Sequence, residues 1–197
     1  NITPEIKDGI VQTASALGIS PVDLATTISY ETGGTFDPTK AGPTTKWGQH
    51  RGLIQFGEPQ AKQYGVDWSN PVGSQLGPNG AVAAYLRDRG VKPGMGLMDI
   101  YSTINAGAPG LYNRSDVAAG GAPGTVADKV NNQMAGHRAK AQALFDDLPA
   151  PGASPVEMQT GQPGFAIPPA PANEALPIMQ PGGALPNYDQ ETGRWLG

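Results

Sequence analysis

Proline placement constrains this chain more than any other feature, because proline fixes its own φ and offers no backbone N–H. Of the 20 prolines in 197 residues, 10 fall in residues 1–148 and 10 crowd into residues 149–197. In the first stretch they serve as helix starters. Thr3-Pro4 and Ser20-Pro21 each place a capping side chain before a proline at the first helical position, and Asp23 reinforces the second start. Helices are predicted over 4–17 and 21–32, with Gly18 and Gly33-Gly34 supplying the stops. In the last stretch the prolines do the opposite. Pro-Pro-Ala-Pro-Ala and Pro-Gly-Gly-Ala leave no room for a core, so residues 149–197 read as an extended, polyproline-like tail.

Between these limits, residues 35–57 carry Pro38, Gly42, Pro43, Gly48, Gly52 and Gly57 too closely spaced for a long element, with room for a short hairpin at most. A loop of that length in a small domain points to function. Further helices are expected near 59–64, 79–89 and 95–105, then a Gly/Pro-rich connection over 106–124. A last helix over 125–147 opens on the capping pair Thr125 and Asp128. The expected fold class is mainly α, with one domain over residues 1–148. The tail's scattered Ile, Met and Trp are expected to lie along a partner surface.

Charge excludes one class of partner. Residues 1–148 hold 12 Lys/Arg against 13 Asp/Glu and the tail holds 1 against 4, summing to the net −4 of the chain. No basic footprint for nucleic acid is present. There is no cysteine, so a disulfide framework and a thiolate metal site are excluded. His50 and His137 lack ligand spacing, and neither a metal nor a cofactor is expected. No run approaches the length of a membrane span. Asn1 stands where an initiator Met would, which suggests processing or excision from a longer polypeptide.

One carboxylate sits where chemistry could use it. On a helical wheel Leu24, Ile28 and Glu31 share a face, flanked by Ala25, so Glu31 is placed on the apolar stripe at the helix C-terminal end. Burial and the negative end of the helix both disfavour the charged form, raising its pKa toward that of a general acid. Helix geometry alone leaves the alternative open: a solvated helix end, or a pair with an arginine such as Arg51.

The run Ile28-Ser29-Tyr30-Glu31-Thr32-Gly33-Gly34-Thr35-Phe36-Asp37-Pro38 resembles the catalytic-acid signature of soluble lytic transglycosylases. Gly52-Leu53-Ile54-Gln55-Phe56 is similar to the family's Gly-Leu-Met-Gln motif, and Asn105-Ala106-Gly107 matches the end of its Ala-Tyr-Asn-Ala-Gly motif. The resemblance spans about residues 5–145 and is closest in style to domains of bacteriophage virion proteins. It implies a lysozyme-like domain that cleaves the MurNAc–GlcNAc bond of peptidoglycan. Glu31 would protonate the linking oxygen, and the sugar's own 6-hydroxyl would capture the cationic centre, leaving a 1,6-anhydro-MurNAc end. A hydrolase normally needs two carboxylates. Asp37, Glu58 and Asp67 are the candidates for a second, and Asp37 is equally explained by its turn before Pro38.

The resemblance also implies a binding surface made by Gln55, Phe56 and Asn105, with Thr32 hydrogen-bonding near the acid. Amides suit sugars because they donate and accept. Three departures stand out. The segment Thr44–Arg51 lengthens one wall and carries Trp47, a candidate stacking platform or an anchor for its loop. Ile104 stands where the motif has tyrosine, so Tyr101, one turn earlier, or Tyr112 would have to supply the aromatic contact. The family's late aromatic motif has no counterpart. Trp68 reads as core, and Asn113-Arg114-Ser115 as a chance glycosylation sequon.

The expected partners are peptidoglycan glycan strands and, through residues 149–197, other virion or assembly proteins. The expected location is a virion acting on the host wall, or else the secreted or periplasmic setting of a bacterial enzyme. A hydrolytic muramidase on the same fold, or a non-catalytic virion component that binds glycan, are the alternatives.

Overall fold

A computed structural model describes residues 2–119, 121–146, 188–189 and 194–195. The described part is mainly helical. In order come α1 (Pro4–Leu17), α2 (Pro21–Glu31), the hairpin strands β1 (Ala41–Thr45) and β2 (Gly48–Arg51), α3 (Glu58–Gln63) and α4 (Pro71–Gln75). Then follow α5 (Ala81–Asp88), α6 (Leu97–Ala106), a 3-10 turn at Val117–Ala119, α7 (Val126–Gln133) and α8 (Ala135–Leu144). The expected tail over 149–197 lies outside the described residues except for two short strands. These are β3 (Tyr188–Asp189) and β4 (Arg194–Trp195), which pair antiparallel. Among the described residues no helix is long and apolar enough to cross a membrane.

The proline-marked starts fold as their sequence dictates. Thr3 Oγ1 accepts from Ile6 N at 3.3 Å and Ser20 Oγ accepts from Asp23 N at 3.3 Å, each satisfying a free N–H of a first turn. Gly18 closes α1 in the left-handed conformation, φ 69°, which a Cβ would penalise.

Helix α2 is the axis of the domain, packed against α1, α6 and α8. Its residues Val22 to Ser29 are all buried, so the expected apolar stripe is in fact a helix enclosed on every side. Its hydroxyls survive enclosure by bonding back to the helix: Thr26 Oγ1 donates to Val22 O at 2.7 Å and Thr27 Oγ1 to Asp23 O at 3.1 Å. Leu24 and Ile28 belong to the larger core cluster, with Ile10, Val82 and Leu86. Tyr30 packs against a smaller cluster of Leu97, Tyr101, Ala106, Val126 and Met134. The C-terminal end of α2 therefore lies where the two clusters meet.

Two expectations need correction. The helix predicted over 125–147 is broken at Met134, because α7 packs on α6 while α8 packs on α2, and one straight helix could not follow both. Met134 is buried at the break. Helix α4, starting at Pro71 after Asn70, was not anticipated, although it carries the same proline signal as α1 and α2. The short hairpin does form in the 35–57 segment.

Candidate functional site

The end of α2 is tied down from two directions. Thr32 caps it, donating from Oγ1 to Ile28 O at 2.8 Å and accepting from Phe36 N at 3.0 Å. Gly33 and Gly34 then turn the chain with φ of 61° and 81°. From the other side α8 contributes two polar contacts at this end and one at the helix start. His137 Nδ1 lies 2.8 Å from Ser29 Oγ and Lys140 Nζ donates to Gly34 O at 2.5 Å, while Arg138 pairs with Asp23 in the first turn of α2 at 3.2 Å. A cation at the carbonyl end of a helix is favourable.

Glu31, thus held, is partly buried, and among the described residues its carboxylate has no salt-bridge partner. Arg51, the sequence-level alternative, instead stacks its guanidinium 4.3 Å from the Trp68 ring centroid. Loss of solvation, and next the charge of Asp116, push the Glu31 pKa up to about 8, with Lys129 opposing. Glu31 in turn raises the hydroxyl pKa values of Tyr30, Tyr85 and Tyr101, for which burial is the larger cause. At neutral pH the group is mostly an acid, able to donate a proton. That is the protonation state a general acid requires.

Beside Glu31, α6 supplies Tyr101 and Asn105. Tyr101 is 1% exposed, its ring set edge-on to Tyr30 at 5.4 Å between centroids. Tyr30 OH donates to Gln133 Oε1 at 2.6 Å. Asn105 Nδ2 donates to Asp116 Oδ2 at 2.8 Å, and the other carboxylate oxygen of Asp116 takes the Lys129 ammonium at 2.5 Å. Lys129 is 1% exposed, an unusual depth for a lysine unless it is paired. The structure thus gathers Glu31, Tyr101 and Asn105, and adds Asp116 and Lys129, which carry no recognisable motif. The residues Asp116-to-Lys129 are separated by a Gly/Pro-rich connection, so only the packing of α7 on α6 reveals them.

The remaining sequence-level candidates sit in walls and core, with their polar groups engaged. Gln55 donates from Nε2 to Lys40 O at 2.9 Å and Gly52 O at 3.0 Å, clamping its own loop. Both Gln55 and Phe36 hold left-handed backbone, φ 57° and 54°, a strained state for non-glycine residues near a site. Phe56 is 2% exposed and meets Tyr85 edge-on in the core. Trp47 occupies the hairpin turn with the Lys46 ammonium 4.6 Å from its ring centroid. Tyr112 is exposed, its hydroxyl donating to Asp99 Oδ1.

Of the other carboxylates, Asp37 caps its own turn, with Oδ1 accepting from Thr39 N at 2.8 Å and Oγ1 at 2.9 Å. Asp67 does the same for Ser69 at 2.9 Å and 2.6 Å. Gln75, which nothing in the sequence singled out, fastens the wall: fully buried, it accepts from Leu53 N at 2.9 Å and donates to Pro38 O at 2.7 Å and Pro71 O at 2.9 Å. Among the described residues no group of three or more His, Asp or Glu is arranged to hold a metal ion. Compared with known protein families, with curated proteins and with solved structures, the chain gives no match.

Proposed function

We propose that this chain is a lysozyme-like peptidoglycan lytic transglycosylase, with Glu31 acting first as acid and then as base on the MurNAc–GlcNAc bond. The observation that carries the reading is Glu31 itself: a carboxyl group at the end of an enclosed helix, without an ion-pair partner among the described residues, with a pKa raised to about 8. Such a group can protonate a glycosidic oxygen at neutral pH and, once ionised, take the proton of the 6-hydroxyl as that oxygen closes on the anomeric carbon. The mainly helical architecture with the small β1–β2 hairpin after α2 is compatible with the lysozyme-like expectation.

The hydrolytic alternative needs a second carboxylate to activate water or form a covalent bond. Asp116 is the carboxylate within electrostatic reach of Glu31, but its two oxygens are committed to Asn105 and Lys129. That commitment favours capture by the sugar's own hydroxyl. Asn105 would contact the glycan, with Trp47 and the hairpin as an outer wall, while Tyr101, 1% exposed, would support Tyr30 from the core instead.

In keeping with the virion proteins that the motifs resemble, the physiological setting proposed is a phage particle opening the host wall locally. The tail over 149–197 would dock to other virion proteins. A secreted or periplasmic bacterial enzyme is the alternative setting. The test of the activity is turbidity loss of purified cell walls: the parent protein clears them and Glu31→Gln does not. Clearing that survives the substitution unchanged refutes the assignment. For the tail, a chain lacking residues 149–197 should keep wall-clearing activity and lose co-assembly with its partners. Unaltered co-assembly would refute the docking role.

A further inference from the structure

The mechanism above uses Asp116 only through its charge and gives Lys129 no task, yet a buried lysine and a shared carboxylate are costly to maintain. Their geometry supplies one. A carboxylate only accepts hydrogen bonds, so the group Asn105 turns toward Asp116 must be its NH2. Its carbonyl Oδ1 then faces the other way, and this oxygen is buried without a hydrogen-bond partner among the described residues. An unsatisfied buried acceptor beside an acid is an opening for a ligand donor.

A second observation, independent of charge, shows how closely Asp116 is boxed in. The chain folds back so that Gly121 N donates to Asp116 O at 2.9 Å, and a Cβ at position 121 would come 2.1 Å from the Asp116 carboxylate carbon. Only glycine fits that approach. On the far side, Lys129 holds Oδ1 at 2.5 Å. The carboxylate is therefore fixed by a neighbouring backbone, by a buried cation and by the amide it orients.

Resting on the glycan-cleaving reading, we propose that Asp116, anchored by Lys129 and enclosed by Gly121, is a positioning residue that locks Asn105 with its carbonyl oxygen presented to a donor group of the bound sugar. Asp116 touches no reacting atom. It acts through Asn105, and freeing Asn105 lets the amide rotate or flip, weakening substrate binding more than the chemical step.

Two variants test this without relying on one another. Gly121→Ala displaces the Asp116 carboxylate while leaving every charge in place. The double variant Asp116→Ala/Lys129→Met removes the anchor with no unpaired buried charge left behind. Both are measured on soluble peptidoglycan fragments for KM and kcat, and by NMR for the side-chain amide protons of Asn105. The expected result is a KM raised tenfold or more, with kcat at the optimum pH changed less than threefold. The Asn105 amide protons, protected from exchange with water by the Asp116 hydrogen bond in the parent, should in both variants exchange faster with water and move toward the chemical shifts of a free asparagine amide. A merely structural role would lower thermal stability and leave KM and the amide signals unchanged, and that result overturns the proposal. A parent that leaves walls intact removes the glycan-cleaving reading instead, and the Asn105 signals then still decide whether Asp116 orients the amide.

Discussion

Replacing Glu31 with glutamine should abolish cleavage and make the protein more stable, but only at the alkaline end of its range. A carboxyl whose pKa rises on folding binds its proton more tightly in the folded state, so it stabilises least once the pH has passed through the interval between the two values. For Glu31 that interval runs from its ordinary value of 4.5 to about 8. Each unit of difference corresponds to about 1.36 kcal/mol, so ionising Glu31 by the top of the interval costs at most about 5 kcal/mol. Solvent screening of a partly buried group reduces this to about 2 kcal/mol. Glutamine has nearly the same shape and carries no charge to desolvate. Thermal unfolding should therefore show Glu31→Gln melting about 5 °C or more above the parent at pH 8.5, with the gap nearly closed at pH 5. A gap independent of pH, or a variant less stable than the parent at pH 8.5, would refute the claim that folding holds Glu31 in its acid form.

Other consequences are more local. Wall-clearing activity should fall on the alkaline side with a midpoint near pH 8, because the acid form is the one that protonates the linking oxygen; a flat profile between pH 6 and 9 would contradict the role given to Glu31. Gln75→Leu should cost about 3 kcal/mol or more in urea unfolding, since it strands Leu53 N–H and two proline carbonyls in the interior, and a cost under about 1 kcal/mol would mean the wall does not depend on it. At Gln55, Gly should be tolerated better than Ala by about 1 kcal/mol, because the left-handed backbone there suits glycine; equal losses would show that the loop carries no strain.

How far the sequence reached can be judged at particular residues. Helices α1 and α2 were legible to within a residue because their starts depend on local chemistry, a hydroxyl cap followed by proline. Glu31 was legible for a related reason, since helical spacing alone puts it beside Leu24 and Ile28. The break at Met134 was not, because it serves two tertiary partners, and Gly136 two residues on is too weak a signal by itself to place it. Thr32, Gln55 and Phe56 stood out through motifs, whereas their engagement with Phe36 N–H, the Lys40 carbonyl and the Tyr85 ring depends on the folded loop. Asp116 and Lys129 were invisible for a deeper reason. Nothing local distinguishes a lysine that will be 1% exposed from one on a solvated helix face, and only the docking of α7 on α6 makes the difference.

The most direct test of the central claim is mass spectrometry of the sugar ends released when the protein digests purified peptidoglycan. The account predicts 1,6-anhydro-MurNAc ends, each lighter by one water than a hydrolysed end, formed by the parent and absent with Glu31→Gln. Reducing MurNAc ends in their place would contradict it.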